Sequence, residues 1–168
     1  MTLQLILTRH AKSSWDDPAL DDHSRILNKR GRLSASAIGQ WLAKNEFMPE
    51  LVLCSSASRT KETWALIEEE LNSLPEVWFE NGLYLAAPAK MLSLLQAVKG
   101  ASNVLILAHN PGSAMLASAL AGQAPEHPQF SRYPSAATTV LQFEAENWAE
   151  VGFGQGTVTN FVVPRELI

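Results

Sequence analysis

A unit of strand, polar turn and helix occurs three times in this chain, and this repetition constrains the fold more than any other feature. Apolar runs at residues 3–8, 51–54 and 103–108 are short enough for strands and lack the alternation of a half-exposed strand. Such runs are typical of parallel strands that are buried on both faces. The sequence therefore predicts an α/β fold with three layers, in which helices cover both sides of a mainly parallel sheet.

Amphipathic helices are predicted after the polar turns. The first spans residues 31–45, a short strand follows at 77–79, and a third helix begins at Pro88, a residue favoured at the first helical position. The second and fourth helices are predicted from the apolar positions Trp64, Ile67, Leu71 and Leu74, and Met115 and Leu120.

The pattern changes after Gly122. Residues 123–135 contain three prolines and predict a loop, whereas residues 138–143 and 156–163 alternate like exposed strands. We expect these strands to pair in antiparallel fashion at an edge of the sheet. The glycine-rich residues 152–156 do not open a helix, so we interpret them as a turn between the two strands and not as a nucleotide-binding loop.

Composition narrows the class of protein further. The length of 168 residues fits one domain. Thirteen Lys and Arg against seventeen Asp and Glu give a net charge of −4, which argues against a nucleic-acid partner bound through a broadly basic surface. No apolar run approaches the roughly 20 residues of a membrane span, and the N-terminus lacks the features of a signal peptide, so we expect a cytoplasmic protein with no membrane partner. Cys54 is the single cysteine, which excludes an internal disulfide.

Charged and polar residues follow the predicted strands at the points where ligands bind in parallel sheets, beyond the carboxyl ends. Arg9 and His10 follow the first strand, Arg59 follows the second by one helical turn, and His109 and Asn110 follow the fourth. Each residue alone is explained by an ordinary turn or a solvated surface. Two guanidiniums and two imidazoles at one sheet edge together indicate a functional site.

Phosphate is the ligand that best fits this set of residues. Guanidiniums offer paired donors to phosphate oxygens, and the helices that start near Ser56 and Pro111 add amide dipoles of the right sign. A neutral imidazole can attack phosphorus and form an N-phosphoryl enzyme. Arginines can then stabilise the charge on the equatorial oxygens, so the chemistry requires no metal or other cofactor.

Other phosphate chemistries fit less well. No Walker A sequence is present, and the four residues between Cys54 and Arg59 are too few for the loop of a cysteine-dependent phosphatase. We therefore expect Cys54 to be a buried structural thiol. The four histidines do not have the spacing of metal ligands, so no metal site is expected. We interpret the following acidic residues as a solvated loop: Asp16, Asp17, Asp21 and Asp22.

Four segments resemble motifs of the histidine phosphatase superfamily. Residues 5–11 resemble its Arg-His-Gly signature, with Ala11 in place of glycine, and residues 25–31 resemble R-x-L-[ST]-x-x-G, with Asn28 at the hydroxyl position. Residues 55–63 resemble S-x-x-x-R-[AT]-x-x-T, and residues 108–111 resemble the segment that carries the second histidine. The four matches occur in order over about two thirds of the chain.

This resemblance implies a phosphoglycerate mutase-like fold, with residues 1–168 as one histidine phosphatase domain. It implies that His10 is the phosphorylated nucleophile, that Arg9 and Arg59 bind the phosphoryl oxygens, and that His109 stabilises the transition state. Two further residues are expected to contact the phosphate, Arg25 and Asn110. The short length and the sequence at residues 12–15 are similar to the SixA-type phosphohistidine phosphatases, several of which act on signalling proteins.

The lack of a dedicated general acid indicates which kind of leaving group the site favours. Larger relatives carry a glutamate general acid in an extended segment after the third strand, whereas Glu80 is the only nearby candidate here. A general acid accelerates the loss of an alkoxide by about 10²- to 10⁴-fold, while an imidazole leaves near its own pKa of about 6.5. The sequence therefore predicts a phosphatase that hydrolyses phosphohistidine, through its P–N bond, or a related phosphoramidate or phosphomonoester, by way of a covalent phosphohistidine intermediate on the enzyme.

Three alternatives remain open at this point. A phosphatase for small phosphate esters and a phosphoglycerate mutase-like isomerase share the same nucleophile. A non-catalytic adaptor that binds phosphorylated proteins shares only the arginines. The expected partner is a phosphorylated protein, such as a phosphohistidine-bearing signalling domain, or a small phosphorylated substrate.

Overall fold

One six-stranded sheet organises the structure. The computed structural model describes residues 1–168. Its regular elements in chain order are β1 (Thr2–Arg9), α1 (Lys29–Lys44), β2 (Leu51–Ser55), α2 (Ser58–Glu70), β3 (Glu76–Glu80), α3 (Pro88–Gln96), β4 (Asn103–Ala108), α4 (Gly112–Leu120), β5 (Thr138–Glu144) and β6 (Thr157–Val162). Short 3-10 turns lie at Asp22–Ser24, Asn81–Leu83, Trp148–Glu150 and Pro164–Glu166.

The strands lie in the order β3-β2-β4-β1-β5-β6. The pairs β1–β4, β2–β4 and β2–β3 are parallel, whereas β1–β5 and β5–β6 are antiparallel. The predicted mainly parallel sheet with antiparallel pairing at one edge is therefore confirmed. Only β5 runs against the other strands, and it lies one position in from the edge strand β6.

Helices cover both faces of this sheet. Residues of α1 and α2 pack in one apolar cluster, and residues of α3 and α4 pack in the other. Side chains of β1 alternate between the two clusters, since Leu5 and Leu7 belong to the α3–α4 side while Ile6 belongs to the α1–α2 side. The three-layer α/β/α prediction is confirmed. No helix is both long enough and apolar enough to span a membrane.

Two helix boundaries differ from the prediction. Helix α1 begins two residues early, at Lys29, because the Asn28 side chain caps it by accepting a hydrogen bond of 2.8 Å from the Gly31 amide. Helix α2 ends at Glu70, so the prediction that it continues through Leu71 and Leu74 was wrong. Leu71 adopts an extended conformation and Leu74 is 87% exposed. Pro75 disfavours a helical conformation for the residue that precedes it.

The C-terminal third contains the predicted loop and turn. Residues 123–135 form no helix or strand, and residues 152–156 form the turn that leads into β6. Gly154 has a φ of 78°, a conformation that glycine adopts without steric cost. The amide of Gly156 donates to the carbonyl of Leu120 over 2.7 Å, which joins this turn to the end of α4.

Strand register brings the sheet-edge residues together. Arg9 is opposite Ala108 in the β1–β4 pair, so the next residues, His10 and His109, leave the sheet side by side. Cys54 is opposite Leu107 in the β2–β4 pair, which brings Ser55 to the same edge. Residues about 50 and 100 positions apart in sequence therefore meet at the carboxyl ends of three adjacent parallel strands.

Candidate active site

His10 is held in one orientation by the main chain that follows β1. Its Nδ1 lies 2.7 Å from the carbonyl oxygen of Ala11. A carbonyl can only accept, so Nδ1 carries the hydrogen and Nε2 keeps its lone pair. The Ala11 amide donates to Thr63 Oγ1 of α2 over 3.0 Å. Helix α2 thus anchors Ala11, the residue whose carbonyl selects the tautomer of His10.

His10 is neutral near pH 7 in this environment. Burial lowers its pKa to about 3, and the positive charges of Arg9, Arg59 and Arg25 act in the same direction, although the Ala11 hydrogen bond opposes them. The neutral ring is the form that can attack an electrophile.

His109 lies beside His10, with ring centroids 5.2 Å apart. Its Nε2 is 2.7 Å from Ser55 Oγ, the last residue of β2. Burial lowers the pKa of His109 to about 3, and His10 and Arg59 contribute in the same direction. The ring of Tyr84 packs edge-on against His109 at 5.4 Å. Both imidazoles are therefore buried, close together and uncharged.

Three arginines surround the two histidines. Arg59, in the first turn of α2, is 3% exposed, and its Nη1 donates to the Asp22 carbonyl over 2.6 Å. Arg9 Nη1 donates to the Tyr133 carbonyl over 3.1 Å, while burial and the charge of Arg59 lower the pKa of Arg9. The Arg25 guanidinium stacks on the ring of Trp15 at 3.4 Å.

Asp22 corrects the interpretation of the acidic loop as merely solvated. Its carboxylate lies 3.0 Å from Arg59 Nη2 and 3.3 Å from Arg25 Nε, and it accepts a hydrogen bond from the Tyr84 hydroxyl. The Tyr84 hydrogen bond and Arg59 lower the pKa of Asp22, so this carboxyl group is ionised at neutral pH. Asp21 caps the turn Asp22–Ser24 by accepting from the Ser24 amide over 2.9 Å.

Several buried donors of this cluster have no hydrogen-bond partner. They are Arg9 Nε, Arg59 Nε, Arg25 Nη1 and His109 Nδ1. Buried polar atoms are nearly always satisfied, because an unsatisfied donor costs about 1–3 kcal/mol. These unsatisfied donors, most of them cationic, surround a buried imidazole. They form a pocket that fits a multivalent oxyanion such as a phosphoryl group.

The side chain of Asn110 hydrogen-bonds to the main chain that surrounds the pocket. Its amide nitrogen donates to the carbonyls of Arg132 and Tyr133 over 3.1 Å and 2.9 Å, and its oxygen accepts from the Ala114 amide over 3.2 Å. Both amide hydrogens are therefore used, which leaves none for the phosphate contact that the sequence predicts. Tyr133 itself has a φ of 51° and is held there by a 2.6 Å hydrogen bond from its hydroxyl to the Leu7 carbonyl.

The remaining candidates lie outside the cluster. Glu80 ends the edge strand β3 opposite Ser55, and no ion pair or hydrogen bond joins its side chain to the histidines or arginines. No three His, Cys, Asp or Glu side chains gather as a metal site requires. Cys54 is buried in β2, as predicted.

Four contributors to the site were missed by sequence reasoning: Asp22, Ser55, Tyr84 and Tyr133. Ser55 is the first residue of the serine and arginine motif, so its motif position was a usable signal. Asp22, Tyr84 and Tyr133 come from loops whose path depends on tertiary contacts, and no local pattern marks them.

Comparisons with known proteins identify the family of the chain. The family model of the histidine phosphatase superfamily (branch 1) matches residues 5–83. An uncharacterized protein of Mycobacterium tuberculosis is 32% identical over 163 residues, which cover 94% of this chain and 99% of that protein. An uncharacterized chloroplastic protein of Arabidopsis thaliana is 35% identical over 129 residues, 71% of this chain, and the match spans only 59% of that longer protein.

Solved structures extend the likeness to the whole fold. A candidate phosphohistidine phosphatase SixA from Nakamurella multipartitia has a TM-score of 0.81 and 26% identity, covering 98% of this chain and 97% of that one. The protein histidine phosphatase SixA in complex with tungstate also has a TM-score of 0.81, at 22% identity, covering 99% of this chain and 100% of that one.

The fold is that of the phosphoglycerate mutase-like class. The chain belongs to the histidine phosphatase superfamily (branch 1) and is similar to SixA proteins. These comparisons support a phosphatase.

Proposed function

We propose that this phosphatase hydrolyses phosphohistidine or a related phosphoramidate through a covalent intermediate on His10. The observation that carries the proposal is the set of unsatisfied cationic donors around a neutral imidazole whose Nε2 lone pair is free. Arg9 and Arg59 hold the phosphoryl oxygens, and Arg25 adds a further contact. His109 stabilises the charge that develops in the transition state.

In the first step, the Nε2 lone pair of His10 forms a bond to phosphorus as the bond to the leaving nitrogen breaks. The electron pair of that bond goes to the leaving imidazole, which is already protonated or takes its proton from water. In the second step, water attacks phosphorus, the P–Nε2 bond breaks, and inorganic phosphate leaves. In each displacement the arginines stabilise the negative charge that is spread over the three equatorial oxygens.

Ser55 supports the role of His109. A serine hydroxyl that donates to Nε2 requires the imidazole hydrogen to be on Nδ1. The 2.7 Å contact between Ser55 Oγ and His109 Nε2 is compatible with this tautomer, and Nδ1 is the unsatisfied nitrogen. His109 then offers a neutral N–H donor to a phosphoryl oxygen, as an oxyanion hole does.

The state of Asp22 favours P–N over P–O substrates. Asp22 is the only carboxyl group paired with the site arginines, and its lowered pKa keeps it ionised and unable to supply a proton. Burial raises the pKa of Tyr84, which makes its hydroxyl a weak acid. An alkoxide would therefore leave without a strong proton donor, whereas the imidazole of phosphohistidine can take its proton from water and needs no acid on the enzyme.

A panel of substrates tests this proposal. Phosphohistidine, phosphoramidate, common phosphate esters and 3-phosphoglycerate are compared by kcat/KM with the same enzyme preparation. We expect the P–N compounds to exceed the esters by at least about 10²-fold, the lower bound for the benefit of a general acid. Faster ester hydrolysis, or isomer formation faster than phosphate release, contradicts the proposal. Release of no more than one phosphate per protein supports an adaptor.

A further inference from the structure

A cavity of about 610 Å³ is lined in part by Arg9, which also belongs to the candidate active site. We call it the basic cavity, because its charged lining side chains are Arg9, Lys12, Arg30 and Arg165 and no Asp or Glu side chain lines it. Lys12, Arg30 and Arg165 form no ion pair with any carboxylate. In a chain of net charge −4, this concentration of unpaired cations is local to one surface.

The basic residues at the start of helix α1 are unfavourable for the stability of that helix. Helix α1 begins with Lys29, Arg30, Gly31 and Arg32, and its first turn contains no acidic residue. Cations are unfavourable at a helix N-terminus, where the partial charge of the free amides is positive. An anion bound by Arg30 in the cavity would offset this penalty, because it would neutralise the charge of that side chain.

The basic cavity and the active site share a wall. Arg9 lines the cavity, and its Nη1 donates to the Tyr133 carbonyl. The next two residues, Pro134 and Ser135, also line the cavity. A molecule bound there would be directly adjacent to a phosphoryl group held by Arg9, so one substrate could occupy both sites.

Apolar side chains in the lining indicate what kind of anion fits. Leu33 and Ile168 line the cavity and are 56% and 70% exposed. A free phosphate or polyphosphate would gain nothing from these surfaces, whereas a peptide segment with acidic and apolar side chains would contact both. The volume falls within the usual range of about 300–1,000 Å³ for ligand pockets, which suits a few side chains.

We propose that the basic cavity binds an acidic segment of a protein substrate, next to the phosphorylated side chain that occupies the active site. The proposal rests on the proposed function for the identity of the substrate. Carboxylates of that segment pair with Arg30 and Arg165, and its apolar side chains pack on Leu33.

Fluorescence anisotropy with two labelled peptides tests the binding directly. One peptide carries Glu-Leu repeats and the other carries Gln-Leu repeats, and neither is phosphorylated. We compare the wild type with the double variant Arg30→Gln/Arg165→Gln. The matched control Lys44→Gln/Lys99→Gln has the same change in net charge, and both of its lysines lie outside the cavity.

We expect the wild type and the lysine control to prefer the Glu peptide. The arginine double variant loses that preference by about three- to thirtyfold in Kd, as two ion pairs near the surface predict. Raising the salt concentration weakens binding of the Glu peptide to the wild type, a readout that holds even if the double variant is unstable. Equal binding of the two peptides by the wild type, or equal losses in both double variants, overturns the proposal.

Turnover separates this inference from the proposed function. Hydrolysis of phosphoramidate by the wild type, without any preference for the Glu peptide, leaves the phosphatase proposal intact and removes the basic cavity as a binding site. Preference for the Glu peptide through Arg30 and Arg165, without hydrolysis of any P–N compound, retains the acidic-segment site and refutes the proposed reaction.

Discussion

Replacing Asp22 by asparagine tests whether this carboxylate competes with phosphate for the site arginines. In the structure Asp22 lies 3.0 Å from Arg59 Nη2 and 3.3 Å from Arg25 Nε. The substitution keeps the size of the side chain and removes its charge. It therefore removes two ion pairs and leaves two buried guanidiniums without a counterion.

The size of the expected stability loss follows from the exposure of the Asp22 side chain. The Asp22 side chain is 43% exposed, so each pair is worth about 1 kcal/mol, the upper end of the range for surface pairs. Loss of both costs about 2 kcal/mol, which lowers Tm by about 4–8 °C in a domain of this size. Phosphate no longer competes with the carboxylate, so the same energy strengthens phosphate binding by up to about thirtyfold in Kd.

Thermal unfolding over a phosphate titration measures both effects. We expect Asp22→Asn to have a lower Tm than the wild type without phosphate and a larger gain in Tm when phosphate is added. Asp16→Asn is the matched control, because it makes the same charge change in the same loop, where Asp16 forms no ion pair. Weaker phosphate binding by Asp22→Asn than by the wild type would refute the competition and indicate that Asp22 only positions Arg59.

Three further expectations follow from the buried groups of the site and of β2. His10 and His109 each have a pKa of about 3 in the folded protein and an ordinary value of about 6.5 in the unfolded chain. The free energy of unfolding should therefore fall as the pH drops from about 6.5 toward 3, by up to about 1.4 kcal/mol per pH unit for each histidine. Urea unfolding at several pH values measures the slope, and imidazole NMR signals of these two residues that titrate near pH 6.5 would contradict it. Burial raises the pKa of Cys54 to about 12, so a thiol reagent at pH 8 should modify it only after unfolding; rapid labelling of the native protein would be the opposite result. Ser55→Ala should slow phosphoenzyme formation by about three- to tenfold through loss of one hydrogen bond to His109, as rapid-quench kinetics would reveal, while an unchanged rate would exclude a positioning role.

The fold was predictable because the unit of strand, polar turn and helix is repeated along the sequence. Buried strands read as continuous apolar runs, and the repeated turns after them indicate parallel strands whose carboxyl ends meet. The sequence therefore placed Arg9, His10 and His109 at the same end of the sheet, and the pairing of β1 with β4 makes them neighbours. Asn28 was seen only as a motif residue, and its capping role moved the start of α1 by two residues.

The rest of the site depends on contacts that no local pattern encodes. Asp22 lies in a loop rich in acidic residues, and only its tertiary contact with Arg59 separates it from its solvated neighbours. Asn110 followed a strand as a ligand residue would, yet its side chain braces the Tyr133 loop. A sequence indicates which residues reach the sheet edge, whereas the direction of each side chain is decided by the loops that pack there.

The most direct test of the central claim is to trap the phosphoenzyme. The protein is incubated with labelled phosphoramidate, quenched rapidly, and digested for mass spectrometry under conditions that preserve phosphohistidine. We expect an acid-labile phosphoryl group on His10 in the wild type, a slower appearance of the same adduct in His109→Ala, and none in His10→Ala. Label retained after His10→Ala, or found on another residue of the wild type, would contradict the account.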